Sequence, residues 1–369
     1  MVNFARLAGL LREQRLLALA GTRLRETRQE PLPTAFTVLL DAARRQARHD
    51  CALLEAVTGD LLERLAAAGI PALPLKGPHL ARAIYGGPGL RRSEDVDLLV
   101  FRHDLPAATE LVRSQGWEPV ARERQFDGLP VLHRRLLAPS SWLPSIELHW
   151  RVHWYATSFS SAMLARSTPV GGSARRAAPA DELAALLLFF ARDGFVGLRL
   201  ATDIAAWWDA RTAQLPPQAM DLLIAQHPEV AASVGVAATV AAALVGPPLG
   251  NMFATPPPLN RRGQRAARLA NWSVRGDADQ IAANVALIDG LLAPPRELGA
   301  YARRQLVLDI PADDLETGPT AGRLRRHALP LTHAPKLTAR YLIALWSTRG
   351  GRAWAPLPSN PSKAVAPPP

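Results

Sequence analysis

Two aspartates separated by one residue precede an apolar run, and they are the residues in this chain best placed for chemistry. Asp95 and Asp97 lead into the run LLVF at 98–101. Residues two apart on a strand project to the same face, so these carboxylates repel each other unless a cation lies between them. The alternative is a strand start whose acids face water. The apolar run is typical of a strand covered on both faces, which favours a metal site.

A glutamate further along the chain is the best candidate for a third carboxylate ligand. In the segment SIELHW, Glu147 alternates with Ile146 and Leu148, which therefore face the opposite side of the strand. An exposed edge-strand acid, or the partner of a nearby arginine, is the alternative interpretation. Magnesium or manganese ions bind such oxygen ligands, and a pair of them would clamp the attacking and leaving oxygens of a displacement at phosphorus.

Three residues upstream of the acids have the chemistry to hold phosphates. Lys76 and Gly77 follow an apolar segment, and Arg91 precedes the aspartate pair. Only three of the 43 Lys and Arg residues are lysine, so a lysine at a strand end indicates a site that needs a compact point charge. Gly77 would let backbone approach a phosphate closely, and the two cations would neutralise a triphosphate.

The elements that position these residues are predicted to form one α/β unit over residues 70–155. A glycine and proline turn and two predicted helices separate the apolar segments, which implies a mixed sheet with helices on at least one face. We predict strands at 70–76, 95–101, 117–121, 130–137 and 145–154, and helices at 78–85 and 105–115.

Helical regions flank this unit on both sides. Within the N-terminal helical segment, prolines break the chain near residue 31, and a long helix over 34–59 is expected to end at Gly59. Pro and Gly punctuate the region after the second helical domain, and the last residues have the composition of a disordered tail. The predicted divisions are 1–69 (helices), 70–155 (α/β palm), 156–308 (helical domain), 309–354 (basic segment) and 355–369 (tail).

The order of these motifs resembles a family of uncharacterised bacterial nucleotidyltransferases in the DNA-polymerase-beta-like superfamily. The resemblance covers roughly residues 40–210 and implies an α+β fold, with a nucleotidyltransferase-like mixed-sheet palm and flanking helices. One departure is that Pro78 follows Gly77, where superfamily members carry a serine after the glycine. The matching residues are Lys76-Gly77, Tyr85, Arg91, Asp95 to Val100, Gly116-Trp117, Glu147 to Trp150, and Leu198 to Ala205.

The resemblance implies metal-dependent transfer of a nucleoside monophosphate from a nucleoside triphosphate to an acceptor, with release of pyrophosphate. By this resemblance Asp95 and Asp97 bind the metal ions, and Glu147 is the third ligand and takes the acceptor's proton. The triphosphate contacts fall to the residues Lys76, Gly77 and Arg91. The acceptor is a small molecule, a protein side chain or an RNA end.

Composition bounds the remaining classes of function. The single cysteine, Cys51, excludes an intramolecular disulfide and fits a reduced, cytoplasmic setting. The N-terminus lacks a signal-peptide pattern, and the longest apolar run, 230–246, is short for a membrane span, so we expect a buried helix and no membrane partner.

A second hypothesis is a binding module with a degenerate site. The net charge is +11, and residues 319–352 carry seven Lys and Arg but no acids, so this segment is a candidate surface for RNA or DNA. Coding bias toward arginine is the alternative source of the charge. Two further patterns have ordinary structural interpretations. His149 and His153 have the spacing of a zinc pair only if they lie on a helix. Arg199 and Asp203 have the spacing of an ordinary ion pair along a helix.

Overall fold

A five-stranded mixed sheet and twelve α-helices make up the described part of the chain, which confirms the α+β class. Most of the predicted segment 309–354, including the basic stretch 319–352, lies outside the described residues, as does the tail 355–369. The division into domains stays a prediction. The computed structural model describes residues 2–27, 31–120, 122–124, 132–216, 218–246, 252–253, 259–270, 278–298 and 309–311.

The main sheet has the strand order β1-β2-β6-β5-β3, in which β2 and β6 run parallel and the other neighbours antiparallel. Strand β4 pairs with β9, and β7 pairs with β8, as separate two-stranded ribbons. The strands are β1 Ala72–Pro74, β2 Asp95–Val100, β3 Glu118–Pro119, β4 Arg122–Arg124, β5 His133–Leu137, β6 Ser145–His149, β7 Thr168–Pro169, β8 Arg175–Arg176 and β9 Asp309–Pro311.

Each predicted strand is present but shorter than expected. The largest difference is at β6, which was expected to continue to residue 154 and ends at His149. Beyond that point the side chain of Trp154 donates a hydrogen bond to Asp289, and the Val152 amide donates to the Ser160 hydroxyl. The second contact satisfies a backbone amide that a longer strand would have paired with a neighbouring strand, and the first holds Trp154 against Asp289, away from the sheet.

The helices surround the sheet on both faces. Gly59 does not end the long helix as predicted, because the buried stripe of Thr58, Leu61 and Leu65 continues past it and outweighs the roughly 1 kcal/mol that a mid-helix glycine costs. The helices are α1 Phe4–Glu13, α2 Leu17–Thr27, α3 Thr34–Ala67, α4 Gly77–Tyr85, α5 Leu105–Ser114, α6 Thr157–Arg166, α7 Pro179–Arg192, α8 Arg199–Arg211, α9 Ala219–Gln226, α10 Ala231–Val245, α11 Arg261–Leu269 and α12 Ala278–Leu292.

The two faces of the sheet meet different partners. Val96, Leu98 and Leu148 point to the face that packs on α3 and α5, where they join one apolar core. Leu99 points to the other face and joins a larger core built on α6, α7, α8 and α10. Since side chains alternate along a strand, Asp97 lies on the same face as Leu99, between the sheet and the second group of helices.

One described helical stretch, Pro228–Val245, is long and apolar enough to cross a membrane, and 56% of it is buried inside the protein. It contains α10, which packs against α7, α8 and α11. Val234, Ala237 and Ala241 are fully buried. This is the packing of a core helix, which agrees with the prediction from its length and weak hydrophobicity.

Candidate active site

Three carboxylates meet at the centre of the sheet. The parallel pairing of β2 with β6 places Asp97 directly beside Glu147, and Asp95 lies one pleat away on the same face. Ligand oxygens of Asp95, Asp97 and Glu147 all lie within 4.8 Å of one another. The side chain of Asp97 is only 3% exposed and that of Glu147 15%. The structure therefore brings the three predicted ligands together, in a place with little access for water.

The charges of these carboxylates are balanced unequally. Burial and the charge of Asp97 raise the pKa of Asp95. Burial also acts to raise the pKa of Asp97, but the ammonium of Lys76 and the hydrogen bond with His149 outweigh it, and the pKa falls well below its usual range. Burial also acts to raise the pKa of Glu147, but the hydrogen bond with His149 outweighs it, and the pKa falls to about 2. Clustered oxygen ligands that are largely ionised fit a hard divalent cation.

Lys76 lies where the sequence predicts it, against the acid pair. Its Nζ is 3.1 Å from Asp97 Oδ1 and 4.4 Å from the centre of the Phe189 ring. The amide of Leu75 donates to the Asp97 carbonyl, which extends the β1–β2 pairing by one step and aligns Lys76 with β2. The ammonium is thus held between the sheet and α7, as a compact charge at the edge of the carboxylate cluster.

Gly77 begins α4 in a conformation that favours glycine. Its φ is +77°, and a Cβ added at this position would meet nothing within 4 Å. The backbone is therefore open to a ligand on this side. The first turn of a helix presents unpaired amide groups and a partial positive charge, which together favour a phosphate. Pro78 follows in that turn and supplies no amide hydrogen.

Arg91 is buried in a hydrogen-bonded network with α8. Its Nε donates to Asp203 Oδ2 at 2.8 Å and its Nη1 donates to Ser93 at 2.6 Å, while the Tyr85 hydroxyl donates to Asp203 Oδ1. The expected pairing of Arg199 with Asp203 is wrong, because the carboxylate instead accepts these two bonds. The charges of Asp203 and Asp97 outweigh the effect of burial and raise the pKa of Arg91. Its predicted contact with a triphosphate stays a prediction.

Arg199, at the start of α8, interacts electrostatically with Asp95, although its spacing with Asp203 predicted only a helix pair. It is half-buried. Burial and the charge of Arg91 lower the pKa of Arg199, and its own charge acts to lower the pKa of Asp95. The sequence gives no signal for this placement, because the loop from Asp193 to Leu198 sets where α8 begins. Phe195 in that loop has a positive φ, a backbone conformation that its residue type does not predict.

Two histidines adjoin Glu147, and one of them was not predicted. His149 Nε2 lies 3.0 Å from Asp97 Oδ1 and 3.4 Å from Glu147 Oε2. His133 on β5 lies directly opposite His149, and its Nδ1 is 3.5 Å from Glu147 Oε2. The strand containing His133 was predicted, but the register of β5 against β6 is not encoded locally.

His149 and His153 do not form a metal-binding pair, which agrees with the interpretation of this segment as a strand and not a helix. His149 ends a strand rather than lying on a helix, and burial is outweighed by hydrogen bonds with Asp97 and Glu147 that raise its pKa. His153 lies in the turn after β6, where its Nε2 is 3.2 Å from Asp289 Oδ1 on α12. The two imidazoles therefore belong to different clusters, because the chain turns between them.

The sheet, the three carboxylates and α8 all fall in a region that matches a protein family. Residues 1–246 match a family model described as "uncharacterised nucleotidyltransferase". A comparison with curated proteins finds no match. The matched region begins with the N-terminal helices and ends just after α10. It thus extends well beyond the α/β unit that carries the acids.

Proposed function

The chain belongs to the uncharacterised nucleotidyltransferase family, and we propose that it transfers a nucleoside monophosphate from a nucleoside triphosphate to an acceptor, with release of pyrophosphate. The observation that carries this proposal is the convergence of Asp95, Asp97 and Glu147 on one face of the sheet. Phosphoryl transfer requires mainly positioning and neutralisation of charge. A cluster of carboxylates next to buried cations supplies both.

In this proposal Asp95, Asp97 and Glu147 hold divalent metal, magnesium or manganese. Their donor set consists of carboxylate oxygens only, and the mutual repulsion of the aspartates is relieved by a cation between them. When bound, the metal supplies Lewis acidity and charge neutralisation at the phosphoryl oxygens. Every other part of the proposed mechanism rests on side chains and backbone groups of the chain itself.

We assign the triphosphate to the side of the cluster that carries Lys76, Gly77 and Arg199. Lys76 supplies a half-buried ammonium, Gly77 an open backbone at the start of α4, and Arg199 a second cation that interacts electrostatically with Asp95. Their charges offset the negative charge that develops on pyrophosphate as it leaves. We assign Arg91 a positioning role, because its guanidinium is bonded to Asp203 and Ser93 and so fixes α8, with Arg199, against the sheet.

The acceptor approaches from the Glu147 side. A nucleophilic oxygen of the acceptor attacks the α-phosphorus, the bond from that phosphorus to the bridging oxygen breaks, and its electron pair leaves with pyrophosphate. Glu147 takes the proton of the attacking hydroxyl. A pKa of about 2 keeps Glu147 ionised at neutral pH. Glu147 is therefore well suited to bind a metal ion and is only a modest general base. The acceptor is a small molecule, a protein side chain or an RNA end.

The test uses each α-labelled nucleoside triphosphate with magnesium and a cell lysate as the source of acceptors. Wild type is compared with Asp95→Asn/Asp97→Asn and with a charge-matched control, Asp50→Asn/Asp60→Asn, on the exposed face of α3. We expect label transfer by wild type and by the control, and none by the site variant. Absence of transfer with every nucleotide, together with absence of magnesium-dependent nucleotide binding, contradicts the proposal.

The same variants separate the alternative, a binding module that uses the basic segment 319–352. That alternative predicts nucleic-acid binding that weakens steeply with salt and survives Asp95→Asn/Asp97→Asn. We favour the enzyme because both aspartates and Lys76 are present and in contact. We place the protein in the cytoplasm, since its single cysteine, Cys51, is free and buried.

A further inference from the structure

A second set of ligand atoms adjoins the carboxylate cluster, and it contains imidazole nitrogens. The antiparallel pairing of β5 with β6 places His133 opposite His149. Both share a sheet face with Glu147, because side chains alternate along each strand. The ring centres of the two histidines are 4.8 Å apart. Three potential ligands from two strands therefore meet at one point.

The separations of these ligand atoms match those around a bound ion. Glu147 Oε2 is 3.4 Å from His149 Nε2 and 3.5 Å from His133 Nδ1, and all three atoms lie within 4.8 Å of one another. A four-coordinate ion with N and O ligands at about 2.0–2.2 Å keeps them roughly 3.3–3.6 Å apart. The two glutamate–imidazole distances already have that length.

His133 presents the free nitrogen that a metal requires. Its Nδ1 is buried and makes no hydrogen bond within the described part of the chain. A buried polar nitrogen without a partner is costly, which indicates that a ligand completes this site.

We propose that His133, Glu147 and His149 bind a divalent first-row transition-metal ion of the zinc or cobalt type. Imidazole favours such ions, whereas magnesium favours oxygen ligands. The site shares Glu147 with the all-carboxylate position of Asp95 and Asp97, and it also adjoins Asp97, whose Oδ1 lies 3.0 Å from His149 Nε2. The inference deepens the proposed function and rests on it only through that glutamate. It gives the acceptor side of the reaction an ion chemically different from the one beside the triphosphate.

Cobalt(II) is the probe, because its visible absorption reports coordination by nitrogen in sites of low coordination number. The full-length protein is titrated with cobalt in excess magnesium. We expect wild type to bind one equivalent with intense visible bands, and His133→Gln to bind at least tenfold more weakly. His103→Gln, a loss of a histidine that is 78% exposed, is expected to bind as wild type does.

A measurement on wild type alone covers the case in which a histidine variant fails to fold. In the proton NMR spectrum of the cobalt-loaded protein we expect two exchangeable, strongly shifted resonances. They belong to Nε2–H of His133 and Nδ1–H of His149, the ring nitrogens that do not face Glu147. Absence of both resonances, or complete displacement of cobalt by magnesium, overturns the inference, as does unchanged cobalt binding by His133→Gln.

These results are distinguishable from a failure of the proposed function. Label transfer that persists while cobalt binding is insensitive to His133→Gln refutes the imidazole site and leaves nucleotidyl transfer intact. Cobalt binding through both imidazoles without any nucleotide binding or label transfer supports the metal site. The same result shows that the assignment of the adjoining carboxylates to a nucleotide is wrong.

Discussion

The buried ion pair between Arg91 and Asp203 joins α8 to the segment that precedes β2. The two side chains are 3% and 1% exposed, and their closest atoms are 2.8 Å apart. Removing one partner of such a pair leaves the other charge buried and typically costs about 3–5 kcal/mol. We therefore expect Arg91→Met to lower the free energy of unfolding by about 3–5 kcal/mol.

The reciprocal variant, Asp203→Leu, is expected to cost at least as much. It leaves the Arg91 guanidinium without a counterion and also removes the acceptor of the Tyr85 hydroxyl, which adds about 1–3 kcal/mol. The triple variant Tyr85→Phe/Arg91→Met/Asp203→Leu removes all three polar groups together. Because buried ion pairs often contribute little relative to apolar residues of similar volume, we expect it to be more stable than either charge-removing variant.

Urea unfolding followed by tryptophan fluorescence measures these free energies, and titration with magnesium and nucleotide measures binding. We expect the triple variant to bind nucleotide within a few-fold of wild type, because apolar side chains of similar volume keep α8 packed against the sheet and Lys76, Gly77 and Arg199 remain. Two results refute the reasoning. One is a stable Arg91→Met protein that has lost nucleotide binding, and the other is a well-folded triple variant with the same loss. Either supports the direct triphosphate contact predicted for Arg91 from the sequence.

Three further outcomes are expected. Lys76→Met weakens magnesium–nucleotide binding about 10- to 150-fold in calorimetry, which corresponds to the about 1.5–3 kcal/mol of a charged hydrogen bond. Lys76→Arg restores the binding only in part, and equal affinities of the three proteins contradict this prediction. Gly86 and Gly89 both have φ of +74°, but an added Cβ meets nothing at Gly86 and meets the α3 backbone at 2.7 Å at Gly89. Gly86→Ala should therefore cost about 1–2 kcal/mol and Gly89→Ala about 1–3 kcal/mol more in thermal melts, and equal costs contradict the clash. Cys51 is buried and burial raises its pKa, so a thiol reagent should modify it in urea and spare it in native buffer; fast native modification contradicts that burial.

The sequence predicted the parts of the site that depend on neighbouring residues. Asp95 and Asp97 share a face because a strand has a period of two, and Glu147 opposes Ile146 and Leu148 for the same reason. Lys76 stood out by its residue type. The structure places these residues together without any change to their local assignment.

The remaining contacts depend on which strands and helices become neighbours. His133 meets His149 through the register of β5 with β6, and Asp203 meets Arg91 across 112 residues of sequence. No local period encodes either pairing. Residue spacing suggested a partner for Asp203 one helical turn away, and tertiary packing supplied a different one. The sequence therefore indicated that Arg91 lies near the site, but residue spacing could not indicate that its partner is Asp203.

The distribution of charge explains why this face of the sheet needs a further cation. Two groups of the chain, Lys76 and His149, already contact Asp97. Asp95 has no ion pair within the described part of the chain, and burial and the charge of Asp97 raise its pKa. The fold compensates Asp97 through two direct contacts and Asp95 only through the charges of Lys76 and Arg199, which form no ion pair with it, so the deficit lies at Asp95. A cation bound there would be attracted by Asp95 and Glu147 together, which is the arrangement that a metal-bound nucleotide requires.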